Sequence, residues 1–163
     1  MLFLNCGIRR SELVNLNLSD VYEDRIRVIG KGNKERFVYF GSACRKAIDA
    51  YLPERNQKVL TDNRALFGSR DNNRISVTAV HRLVKKALLQ AGLDSTQYSA
   101  HKLRHTAATM MLSGGVDVKT VQEVLGHENL NTTQIYTHIE STELKIAAEA
   151  NPLSKLDFSN KME

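Results

Sequence analysis

The hydrophobic period changes along this chain, and that change limits the fold more than any other feature. Residues 1–18 carry apolar side chains at helical spacing, with Leu2, Phe3, Cys6, Leu13 and Leu16 able to share one face. Gly7 interrupts them, which predicts two short helices or one bent helix. Residues 21–40 then turn to strand-type side chains: Val21, Ile26, Val28, Phe37, Val38, Tyr39 and Phe40. Between these runs lies Gly30-Lys31-Gly32-Asn33-Lys34-Glu35, a charged turn with glycines in it. It predicts a hairpin or a three-stranded meander with basic residues at its tip.

From Gly41 the helical period returns. A helix is expected over 42–52, ended by Pro53, and 54–74 read as an irregular loop anchored by Leu66 and Phe67. Ser76 is placed to cap a helix over 77–91 closed by Gly92. Another is expected over 100–113, stopped by Gly114-Gly115, and a short one runs from the cap Asp117 to Leu125, closed by Gly126. Asn131 and Gln134 have the spacing of a capping box that opens a further helix. Residues 141–150 complete the helical set, and Pro152 with the polar end should fray. The fold class is therefore α+β, mainly helical, with a small antiparallel three-stranded sheet near the N-terminus.

The 163 residues fit one domain, or one domain with a tail. Such a chain buries about two thirds of its unfolded surface, so it needs no disulfide or metal staple. The apolar fraction of 42% and charged fraction of 25% exclude collagen-like and broadly disordered chains. No apolar run approaches the roughly 20 residues that cross a bilayer. The apolar start, Met1 to Cys6, lacks the basic leader and cleavage site of a signal peptide. Cys6 and Cys44 are expected as buried thiols in a reducing cytosol. Lys and Arg outnumber Asp and Glu by 23 to 18, a weak pointer to a polyanionic partner. Aromatics at 6% with no Trp argue against a base-stacking single-strand binder.

Four segments carry the chemistry: "GIRRSEL" at 7–13, "VIGKGNKERFV" at 28–38, "HKLRHTAATMML" at 101–112 and "VLGHENLNTTQIYTH" at 124–138. Each alone is weak. An Arg-Arg pair is usually a solvated face, and His and Arg three residues apart share a helical face by chance often enough. In this order and register, however, the four boxes resemble the tyrosine recombinase (phage-type integrase) family over nearly the whole chain. Tyr136 stands nine residues after His127, as the resemblance requires.

The resemblance implies a DNA-cutting enzyme that forms a 3′-phosphotyrosine link, frees a 5′-hydroxyl and needs neither metal nor cofactor nor ATP. Tyr136 matches the nucleophile. Arg9 and Arg104 match the two arginines that hold the phosphate, a task suited to a planar fork of donors. Lys31 matches the general acid for the leaving oxygen. His101 matches the residue that accepts or passes the tyrosine proton, and His127 a donor to a non-bridging oxygen. Glu12 matches an acidic residue that supports the site. Neighbouring helical positions point about 100° apart, so Arg9 and Arg10 cannot both face one phosphate. The register favours Arg9 and leaves Arg10 to contact the DNA backbone or to be solvated. Lys34, Arg36 and Lys102 are read as further DNA-binding residues, and Lys34 and Arg36 compete with Lys31 for its role. His105 and His138 are read as structural.

Departures are few: Ala100, Met111 and Tyr39 replace commoner residues at positions with no catalytic part. The larger one is at the front, where the arginine box begins at residue 7. The expectation is a catalytic domain over 1–152 with a tail over 153–163, and no N-terminal DNA-clamping domain. The partner would be double-stranded DNA. The family works as a homotetramer on two duplexes, whereas an isolated domain is compatible with a monomer. Residues 140–156, with Leu144, Ile146 and Ala147 as an apolar face, would pack on their own domain or dock on a neighbouring protomer. The place would be the cytoplasm, at the nucleoid, in a bacterium, phage or mobile element. Two other readings stay open. One is a type IB topoisomerase, although those enzymes typically carry Lys where His101 stands. The other is a DNA-binding module or degenerate fragment without catalysis, with 104–125 as a helix-turn-helix.

Overall fold

The computed structural model describes residues 1–94, 96–126 and 141–155, with backbone alone at Lys31 and Ser141. His127, Tyr136, His138, the helix expected from Asn131 and the tail beyond 155 lie outside the described residues.

Two short helices open the chain, α1 (Leu2–Cys6) and α2 (Arg10–Asn15). Gly7 separates them with a left-handed φ of 58°. That conformation strains residues with a Cβ, and a methyl group here would also collide with Leu125 Cδ2. Glycine thus turns the chain and lets it approach the later helices. Ile8 is fully buried next to it and pins the junction.

The strands are β1 (Arg25–Ile29) and β2 (Glu35–Tyr39), paired antiparallel with Ile26 opposite Val38 and Val28 opposite Arg36. Ile26, Val28 and Val38 point into the core, while Arg25 lies against the rings of Tyr22, Phe37 and Tyr39. The expected third strand is reduced to one bridge, Val21 to Ile26. The Tyr22 amide donates back to the Arg25 carbonyl at 2.9 Å, so the chain reverses before a ladder can extend. Among the described residues the sheet therefore has two strands, not three.

Helix α3 (Ser42–Asn56) outlasts its expected end and runs through Pro53. Arg55 anchors the turn that follows the proline. It is buried in the last turn and donates to the carbonyls of Ala65 and Asn63, each at 2.8 Å, which ties that turn to the following loop. Leu66 is buried and Phe67 half-buried in that loop, as expected of its anchors. Ser76 and Asp117 cap α4 (Val77–Gln90) and α6 (Val118–Leu125), accepting from the amides of Ala79 and Thr120. Between them runs α5 (Ala100–Ser113), and α7 (Ser141–Ala150) follows the undescribed stretch.

Helix α7 lies on its own chain, against α5, α6 and β2. It buries Ala147 and Ala148, leaves Leu144 half-buried and Ile146 exposed, and pairs Lys145 with Asp24 at 3.3 Å. The end after Pro152 does not fray as far as it is described. Pro152–Lys155 form a tight turn that buries Ser154. Asn151 Nδ2 donates to the Leu4 carbonyl at 2.8 Å, so this turn packs on the first helix. Cys6 and Cys44 are both free and buried. Among the described residues no helix is long and apolar enough to cross a membrane.

Candidate active site

The last turn of α6 organises the site. A helix C-terminus leaves carbonyls without intrahelical partners and carries partial negative charge. Here three successive carbonyls each accept from a different arginine. Arg36 Nε donates to Val124 O at 3.3 Å, Arg104 Nη2 to Leu125 O at 2.6 Å and Arg9 Nη2 to Gly126 O at 2.6 Å. Arg104 Nη1 also donates to the Gly7 carbonyl. Residues from α5, the start of α2 and β2 thus meet at one turn, immediately before His127 in the chain.

Glu12 is the carboxylate among them. It sits in the first turn of α2, with 2% of its side chain exposed. Its Oε2 accepts from the Arg9 amide at 2.8 Å and its Oε1 from Arg9 Nη1 at 2.8 Å. Arg36 forks onto both oxygens, at 2.8 and 3.0 Å. Burial by itself would push the Glu12 carboxyl up. The Arg36 fork, the Arg9 amide and the guanidinium charges outweigh it and hold the group at about 2. Stability from these contacts is therefore present above the ordinary carboxyl value near 4.5 and is lost as the pH falls toward 2. We expect acid titration of the unfolding free energy to fall across that window, and Glu12→Gln to flatten it. An unchanged titration in that variant would deny the carboxylate this part.

Arg104 is buried and, among the described residues, has no carboxylate on it. Burial and then the charge of Arg9 lower its pKa to about 10, which leaves it cationic at neutral pH. Among the described residues, three guanidinium groups gather around one carboxylate, an excess of two positive charges. Arg9 keeps 38% of its side chain open to solvent. A cluster of this kind is built for an anion, and the forks suit a phosphate.

His101 lies in the first turn of α5, exposed, with its ring 6.2 Å from that of His105. Lys31 sits in the turn joining the strands, which the Gly30 amide closes by donating to the Lys34 carbonyl at 2.8 Å. Gly30 borders the cluster: a methyl group there would lie 3.7 Å from Arg36 Nη1 and 3.9 Å from Glu12 Oε1. Arg10 and Lys34 are exposed, and Lys102 lies 5.9 Å from the ring centre of Tyr98.

Arg36 behaves differently from the residue read at the hairpin tip. It points inward, with 18% of its side chain exposed, and is spent on Glu12 and Val124. The signal lay in the strand period. Residues 36, 38 and 40 share one face, and Val38 and Phe40 are core. Gly7 and the α6 carbonyls left no mark in side-chain chemistry, because backbone atoms do that work.

The sequence pattern of the phage integrase family matches residues 1–143. A tyrosine recombinase XerC of Caldanaerobacter subterraneus subsp. tengcongensis is 56% identical over 155 residues, covering 94% of this chain and 44% of that protein. A XerC of Staphylococcus epidermidis is 41% identical over 152 residues, covering 91% and 51%. The chain thus spans about half the length of the curated relatives it matches. Among solved structures, XerA recombinase superposes with a TM-score of 0.73 at 35% identity, over 89% of this chain and 53% of that one. XerH site-specific recombinase, bound to its difH substrate in a pre-cleavage complex, gives 0.69 at 30% identity, over 91% and 44%. A match over residues 1–143, joined to a shared fold, leaves one assignment: the chain belongs to the phage integrase family, that of the tyrosine recombinases.

Proposed function

We propose that this chain is the catalytic domain of a site-specific DNA recombinase that cuts and rejoins double-stranded DNA through a covalent tyrosine link. The excess of guanidinium over carboxylate at the end of α6, with Arg9 part-exposed and Arg104 beside it, carries this reading. Tyr136 Oη attacks the phosphorus, the bond to the 5′-oxygen breaks, and a 3′-phosphotyrosine forms. Lys31 gives its proton to the departing 5′-oxygen. His101 takes the phenol proton, which an ordinary tyrosine holds up to a pH near 10. Arg9, Arg104 and His127 donate to the non-bridging oxygens, where negative charge builds. Rejoining reverses these steps, and the bond energy stays in the link, so no ATP and no metal ion is required. The relatives' names and the DNA in the XerH complex agree with this substrate class. A bacterial, phage or mobile-element source and a place at the nucleoid follow from the same reading, as does a homotetramer on DNA for the full-length protein.

The test is covalent capture. The protein is mixed with plasmid and nicked duplex DNA in excess EDTA and quenched with detergent. The expected product is a protein–DNA adduct whose linked peptide contains Tyr136. DNA binding without any adduct would favour a binding module, and relaxation of plasmid without site preference would favour a topoisomerase. Arg10, Lys34 and Lys102 make the backbone contacts in this reading. Alanine at each should lower affinity for all sequences alike and reduce the salt slope of binding by about one. A slope unchanged in all three would move the DNA to another face.

A further inference from the structure

We infer that Arg36 is a positioning residue for strand transfer: it fixes the spacing between the turn that carries Lys31 and the turn that leads to His127, with Glu12 as the shared anchor. This deepens the proposed function and rests on it.

The guanidinium lies between the two turns. On one side lies Gly30, where a methyl group would be 3.7 Å from Nη1. On the other lies Gly126, where a methyl group would be 2.9 Å from Cζ and 3.0 Å from Nε and Nη1. Gly126 has a φ of +65°, so glycine suits this place on both grounds. Gly30 and Gly126 each immediately precede a residue assigned to the chemistry. The Nε donor holds Val124 O, and the two Nη donors hold Glu12.

Glu12 extends the connection. The same carboxylate receives the Arg9 amide and the Arg9 guanidinium. Loss of Arg36 would free one side of Glu12, and Glu12 would then hold Arg9 without its opposing partner. Arg36 therefore borders the residues that immediately precede Lys31 and His127 in the chain, and it is joined to Arg9 through Glu12. A DNA-backbone contact would have to break a bidentate pair with a buried carboxylate, which is a costly exchange. Exposed Lys34, two residues earlier, can meet the backbone at no such cost. Lysine cannot replace Arg36, because one ammonium cannot fork onto a carboxylate and reach a carbonyl on the far side together.

Two measurements on Arg36→Ala and Arg36→Lys test the inference. The first is the single-turnover rate of adduct formation on nicked duplex at saturating DNA, with affinity measured across a salt series. We expect both variants to lose on the order of 10²-fold in rate, as misplacement of reacting groups does. Affinity should stay within about two-fold and the salt slope unchanged. A slope lower by about one, with a wild-type rate at saturation, would make Arg36 a backbone contact and overturn the inference. The second is amide hydrogen exchange without DNA. Exchange should quicken at the end of α6 and in the 30–35 turn in both variants, while α3 and α7 keep their protection. Unchanged exchange at α6, or an equal rise everywhere, would overturn the inference. Should the wild-type chain form no adduct, the functional reading fails, and the exchange measurement still decides the latch.

Discussion

Tyr136→Phe is expected to abolish the covalent adduct while DNA affinity stays within about two-fold of the parent chain. The substitution removes one oxygen and keeps the ring. No other residue of the four sequence boxes stands where the resemblance places the nucleophile, and water attack would leave no protein link. The loss should therefore fall to the detection limit of the gel rather than to a fraction. In the proposed reading, binding rests on arginines and lysines, all of which the substitution leaves in the chain. A Tyr136→Phe chain that still forms adducts would remove Tyr136 from the mechanism.

Arg104→Ala should slow adduct formation by about 10²-fold or more at saturating DNA, as the loss of a transition-state donor does. Stability should fall as well. The Gly7 and Leu125 carbonyls each accept from Arg104, and a buried acceptor left without its donor costs about 1–3 kcal/mol. The two effects separate in Arg104→Lys. That variant keeps a charge at the phosphate but loses the fork, so it should recover part of the melting temperature and little of the rate. Single-turnover rates and thermal melting of both variants check this. A wild-type rate in Arg104→Ala would take the residue out of the chemistry.

Most of the fold could be read from residue order because its signals are local. Ser76, Asp117 and Gly126 mark helix ends with their own side chains or with none, and each mark stands where it was expected. The misses are long-range. Pro53 does not stop α3 because Arg55 finds carbonyls in a later loop. The third strand shrinks to the Val21–Ile26 bridge because a turn at Tyr22–Arg25 uses up the chain. The turn Pro152–Lys155 is held because Asn151 meets Leu4. The site divides the same way. The motifs named Arg9, Glu12 and Arg104, and the structure brings the three together around one turn. Arg36 was visible as a charge, but its partner lies 24 positions away in the chain. Composition and motif order do not say which charges cancel one another.

The contact between Asn151 and Leu4 spans 147 positions of sequence. A contact so distant forms only after almost everything between has been ordered or drawn together, since closing a longer loop costs more chain entropy. During synthesis, α1 and the front of α3 must therefore wait for the last turn to emerge before their packing is complete. Ser154 against Gly41 imposes the same delay on α3. A ribosome stalled before residue 151 would hold a chain with its arginine and lysine boxes already made and the seam beside them still open. The seam between the turn at Asn151 and α1 is thus among the last contacts of the described fold to form, however early the helices and strands on either side of it are made.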